Sequence, residues 1–90
     1  MATGGEPVSL VLFDDLRYRG RSFRIDDNTP NLRDFANRAR SVQVMGESWE
    51  LCERANFGGR CVAVSGDLPD VSSIGLARRV ASVRLAATRR

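Results

Sequence analysis

Histidine and lysine are absent from this sequence of 90 residues, which also holds only two cysteines, one tryptophan and one tyrosine. Without an imidazole, no serine or cysteine has a plausible partner base, so acyl-transfer chemistry lacks its general base. Two cysteines without histidine fall short of a closed zinc site within one chain. No apolar run approaches the ~18 residues of a membrane span, so a soluble domain without a membrane partner is expected. The start "MATGGEP" lacks the basic and apolar regions of a signal peptide, which fits either a cytoplasmic protein or a chain that begins after cleavage. The absence of lysine leaves fourteen arginines against eleven acids, a net charge of +3. Arginine forks suit phosphate, but acids are interspersed with them nearly everywhere, and nucleic acid is not expected as a partner.

What is present suits one small domain. Hydrophobic residues at 42% and charged residues at 28% are ordinary globular proportions. A chain this short buries little more than ~60% of its unfolded surface, so its stability margin is narrow. In "FDDLRYRGRSF" the rings of Phe13, Tyr18 and Phe23 recur five apart, with Gly20 between the last two. A helix would scatter these rings and a plain strand would alternate them. A bent hairpin with rings covering a glycine accommodates the spacing.

The chain also repeats itself. Leu12, Gly20, Arg21 and Pro30 recur 39 positions later as Leu51, Gly59, Arg60 and Pro69, and "SVQV" at Ser41 recurs as "SVRL" at Ser82, offset by 41. Each copy is one supersecondary unit. "VSLVLF", "SFRI" and "SVQV" in the first, and "SWELC", "CVAV" and "SVRL" in the second, read as short strands. Period two places Leu10 and Leu12 on one face, with Trp49 and Leu51 as their counterparts; Val42 and Val44 answer Val83 and Leu85. These residues form the expected core, and Phe23 and Phe35 are read as packing with Trp49. "LRDFANRAR" and "VSSIGLARR" suit a short helical turn each, capped by Asn31 or Asp70. Two such units would bury their apolar faces against each other as a two-sheet sandwich.

The pattern of aromatic, four residues, aromatic, any residue, glycine, as "FDDLRYRG" and, with a cysteine first, "CERANFGG", followed by a serine about twenty residues later, resembles the Greek-key motif of the βγ-crystallins. The resemblance covers roughly Val8 to Leu85. It implies an all-β fold of two Greek-key motifs packed as a β-sandwich, of the single two-motif microbial type, within which the first hairpin of each motif folds over its sheet. Phe13, Tyr18, Gly20 and Ser41 match the fold motif in the first copy; Phe57, Gly59 and Ser82 match it in the second, where Trp49 opens the motif. The resemblance implies that the two rings stack across the bend, beside a glycine able to take positive φ. Cys52 stands where the second motif's first aromatic belongs. Its alignment with Phe13, and that of Cys61 with Ser22, supports facing positions. Either a cross-strand disulfide worth roughly 2 to 3 kcal/mol or two reduced, buried thiols would fit.

Many microbial members bind calcium through paired loops of the form Asn/Asp, Asn/Asp, any, apolar, Ser/Thr, Ser. Here the loops read Ala36, Asn37, Arg38, Ala39, Arg40, Ser41 and Ala77, Arg78, Arg79, Val80, Ala81, Ser82. Of the expected Asn/Asp positions only Asn37 remains, and Arg40 and Ala81 replace the fifth-position hydroxyl. Calcium takes six to eight oxygens. A guanidinium ~4 Å from a divalent ion would cost about 8 kcal/mol at an effective dielectric near 20, less whatever the side chain recovers by swinging away. Calcium is therefore expected to bind weakly or not at all. The acids around Pro30 and Pro69, namely Asp26, Asp27, Asp34, Asp67 and Asp70, together with Asn28, are read as turn residues rather than an ion site.

The expected organisation is a flexible segment over 1–7, a crystallin-like domain over 8–86 with motifs at 8–45 and 48–86, and a basic tail over 87–90. The expected function is that of a non-catalytic structural domain with degenerate calcium loops and no cofactor, meeting a protein partner or itself. A secreted proteinase-inhibitor-like module, with Arg78 or Arg79 on an exposed second arch, is the alternative reading. A weak calcium-binding domain is a further one. A bridged Cys52–Cys61 pair would favour a secreted or periplasmic location, reduced thiols the cytoplasm.

Overall fold

A computed structural model of the chain describes residues 9–76 and 79–86. The proposed flexible segment over 1–7 and basic tail over 87–90 lie outside the described residues. Six strands carry the fold: β1 (Ser9–Phe13), β2 (Ser22–Ile25), β3 (Ser41–Met45), β4 (Trp49–Arg54), β5 (Gly58–Val64) and β6 (Ser82–Leu85). They form two antiparallel sheets, ordered β2-β1-β3 and β5-β4-β6. The two sheets, one per sequence repeat, make an all-β, two-motif sandwich. Among the described residues no helix is long and apolar enough to cross a membrane.

Alternation along the strands decides which face is buried. Leu10 and Leu12 on β1, Trp49 and Leu51 on β4, Val42 on β3 and Val83 on β6 have no exposed surface. Val44 and Leu85 are partly buried against this cluster, near the strand ends. Phe23 departs from the expected packing role. It lies opposite Leu12 in register and so has core parity, but β2 is an edge strand and the ring is 39% exposed. Phe35, 8% exposed, sits beside it with ring centroids 5.9 Å apart.

The two helical segments shrink to single 3-10 turns, Arg33–Phe35 and Val71–Ile74. Asn31 Oδ1 accepts the Arg33 N–H at 2.8 Å and Asp70 Oδ1 accepts the Ser72 N–H at 2.9 Å. Strand β5 begins three residues before the expected "CVAV", because the Arg54↔Gly58 pairing extends the hairpin past an irregularity after Cys52.

The proline-containing arches do more than connect. The first arch delivers Thr29 to the second sheet, where it exchanges backbone hydrogen bonds with Val83 at 2.8 and 3.0 Å. The second arch returns the exchange, Leu68 bonding to Val42 of the first sheet at 2.9 and 3.0 Å. Asn28 and Asp67, read as local turn residues, also reach across: Asn28 Oδ1 accepts the Leu85 N–H at 2.7 Å and Asp67 Oδ1 accepts the Val44 N–H at 2.9 Å. Each repeat thus completes the edge of the other's sheet. This reciprocity is the Greek-key crossing.

Candidate functional site

The folded hairpins are latched in the same way in both repeats. Ser41 Oγ accepts the Tyr18 N–H at 2.9 Å and donates to the Asp15 carbonyl at 2.6 Å. Ser82 Oγ accepts the Phe57 N–H at 3.0 Å and donates to the Arg54 carbonyl. Each hydroxyl meets one donor and one acceptor exposed by the bend, and both serines are fully buried. Tight reversal puts Tyr18 and Phe57 at φ 63° and 62°, left-handed values uncommon for aromatic residues. Gly20 follows at φ +82°, and an added Cβ there would lie 2.1 Å from Asp14 Oδ1. Gly59, at φ +71°, repeats the bend with Glu53 as its neighbour.

The ring partners differ between the repeats. Phe13 and Tyr18 meet edge to face, 5.9 Å between centroids and 69° between planes, rather than stacking in parallel. The aromatic quadrupole favours that arrangement. In the second repeat Cys52 and Cys61 face each other in register and are joined in a disulfide. Phe57 then takes a cation as its partner: the Arg84 guanidinium lies 5.2 Å from the ring centroid while pairing with Glu50 at 2.7 Å. Glu50 and Arg84 face each other across β4 and β6, a contact readable only once the register is known. Glu50, Cys52 and Cys61 also come within 4.8 Å of one another. They are no metal centre, because the sulfurs are bonded to each other and the carboxylate is held by Arg84.

The paired loops sit beside these latches. Ala39 and Val80 are fully buried plugs. Asn37, at φ 62°, donates its N–H to the Val80 carbonyl at 2.8 Å, so one loop hydrogen-bonds the other. The fifth residue of each loop spends its backbone on the fold. Arg40 N–H bonds Phe13 O and Arg40 O accepts from Val71; Ala81 N–H bonds Cys52 O and Ala81 O accepts from Leu32. Arg79 is exposed, while Ala77 and Arg78 lie outside the described residues.

A cavity of about 290 Å³ opens at the first loop, lined by Asp14, Asn37, Arg38 and Arg40. Asp14 Oδ1 is already engaged by the Arg21 N–H at 2.8 Å. The Arg40 guanidinium lies 4.0 Å from Asp15 Oδ1. Its charge also acts on Asp70 of the second arch, whose carboxyl is held below its ordinary value first by the Ser72 hydroxyl, then by the Ser72 N–H, against the opposing effect of burial. Two guanidiniums against one carboxylate and one amide do not fit a calcium ion, which needs a shell of oxygens.

Three further acids are occupied locally. Asp15 Oδ1 accepts the Leu16 N–H, Asp26 pairs with Arg24 at 3.2 Å, and Asp27 Oδ1 accepts the Asn28 N–H.

Known proteins share this architecture. A βγ-crystallin from an archaeon superposes with a TM-score of 0.84 at 21% identity, over 90% of this chain and all of that one. The Ciona intestinalis βγ-crystallin gives 0.81 at 21% identity, over 87% and 99%. At such identities the likeness is one of fold. In sequence, gamma-crystallin S of Cyprinus carpio is 30% identical and gamma-crystallin B of Rattus norvegicus 32% identical, each over 78 residues, 84% of this chain and 45% of the relative. The chain therefore spans less than half the length of these relatives. A family model described as Beta/Gamma crystallin matches residues 9–86, both latched hairpins and both exchanged arches included. The chain belongs to the beta/gamma crystallin family.

Proposed function

We propose that this chain is a non-catalytic structural βγ-crystallin module whose paired loops are held by internal charge rather than by calcium. The observation that carries this reading is the Arg40 guanidinium, set beside Asp15 of the first hairpin and within electrostatic reach of Asp70 of the second arch. A guanidinium thereby stands at the loop where a divalent ion would need oxygens. A catalytic role lacks support: there is no histidine, and the acids described above are used in turns and ion pairs.

A thermal melt in excess EDTA and again in ~10 mM Ca²⁺ tests the reading, since a ligand at a hundred times its dissociation constant adds about 2.7 kcal/mol. Coincident midpoints are expected. A rise of more than ~10 °C would show that the loops bind calcium despite their arginines.

A further inference from the structure

The internal repeat compares the same surface in two states. In the second copy, Arg60 on β5 reaches over the arch and donates Nη2 to the Ile74 carbonyl at 2.6 Å. Gly75 makes room for it: its φ is +82°, and an added Cβ would stand 2.4 Å from that nitrogen. In this segment the second copy is two residues longer: Arg21 answers Arg60, but the Arg38 N–H bonds the Phe35 carbonyl as the Arg79 N–H bonds that of Leu76, so Phe35 answers Leu76 and Ile74 and Gly75 have no matched residues. The first arch lacks those two residues, so the carbonyl that receives Arg60 has no counterpart. The surface stays open as a groove of about 390 Å³ between β2 and the first arch, with Arg21, Phe23, Leu32, Arg33, Asp34 and Phe35 in its lining.

We propose that this groove binds an extended acidic peptide segment carrying an apolar side chain. The tilted Phe23 and Phe35 rings give the apolar floor, with Phe23 left exposed by its edge strand. Arg24, Arg40 and Arg84 have carboxylate partners, whereas Arg21 and Arg33 have none among the described residues. They flank the rings and offer two forks to a ligand's carboxylates. Asp34, the one acid in the lining, leaves the groove net positive. Arg33 is also held at φ 54°, a strained value of the kind that gathers at ligand clamps. Beside the groove β2 pairs with β1 alone, and its outer backbone makes no hydrogen bond among the described residues. A free edge beside an apolar groove with flanking charge suits strand addition by a peptide. Single-stranded nucleic acid would also stack on aromatic rings, but the free β2 edge offers backbone donors and acceptors that match a peptide strand and not a phosphate chain.

The test is a titration of the ¹⁵N-labelled chain with the capped peptide Glu-Val-Phe-Val-Glu, its Gln-for-Glu counterpart and a short oligothymidylate, read by amide chemical shifts. Saturable shifts confined to Ser22–Ile25 and Arg33–Phe35 are expected for the acidic peptide, weaker for the neutral one. Arg21→Ala and Arg33→Gly should each reduce affinity about two- to fivefold, the scale of an exposed ion pair. Arg33→Gly relieves the backbone, so its melting point should hold or rise while binding falls. No saturable shift up to ~1 mM peptide, shifts centred on the β5 edge, insensitivity to both substitutions, or tighter binding of the oligonucleotide at the groove would each overturn the proposal.

Discussion

Ser41 and Ser82 each join a hairpin bend to a sheet through one donated and one accepted hydrogen bond. Replacement by alanine orphans an N–H and a carbonyl beside the core, a loss of about 1–3 kcal/mol that denaturant melts of either variant should show. Gly20→Ala meets two obstacles at once, positive φ and the Asp14 carboxylate, and should destabilise by more than ~1 kcal/mol in the same assay. Asp70 carries the acid-limb prediction. Its folded pKa is depressed, so its contribution is present above the unfolded value near ~4 and is lost as pH falls through the lower folded value. Asp70→Asn should therefore narrow the fall in melting temperature on acidification below pH ~4; parallel curves for the two proteins would exclude this role. At this scale the sequence showed the serines and Gly20 plainly, because a recurring motif marks them. It gave no sign of Arg84 over Phe57 or of Arg60 on Ile74, since those contacts depend on which strands become neighbours.

Among the elements, the two folded hairpins solve one packing problem differently. The first covers its bend with an edge-to-face ring pair, and the second replaces one ring by the Cys52–Cys61 bridge. Closing a loop this short contributes roughly 2 to 3 kcal/mol. Reduction of the disulfide, or Cys61→Ser, should lower the melting midpoint by on the order of 10 °C. An unchanged midpoint would mean that Phe57, Arg84 and the Ser82 latch suffice without the covalent link. Strand positions were readable within about three residues because period-two alternation reports burial directly. The exposure of Phe23 was not, since parity reveals which face a ring points to but not whether another strand lies beside it.

For the whole molecule, the exchange of Thr29 and Leu68 between sheets makes the repeats interdependent. A separated first motif would lose Leu68 from the edge of its sheet and expose Leu10, Leu12 and Val42. The two motifs should therefore unfold together. Trp49 fluorescence, which reports on the second motif, and the near-ultraviolet signal of Tyr18, weighted to the first, should give coincident transitions. Separated midpoints would show that the crossing contributes little to cooperativity. The fully buried indole of Trp49 finds no partner for its Nε1–H among the described residues.

Taken alone, the sequence determined the strands, the repeat, the two latching serines, the core residues and the loss of oxygen ligands from the paired loops. Those are local properties, fixed by side-chain period and residue type. The tertiary structure decided that the arches trade places between sheets, that Asn28 and Asp67 bond across the repeats, that Cys52 and Cys61 are joined, and that an open aromatic groove survives in one repeat where an arginine closes it in the other. Each of these depends on which distant segments meet. Pairing of that kind is set by the joint burial of two sheets, which no window of adjacent residues encodes.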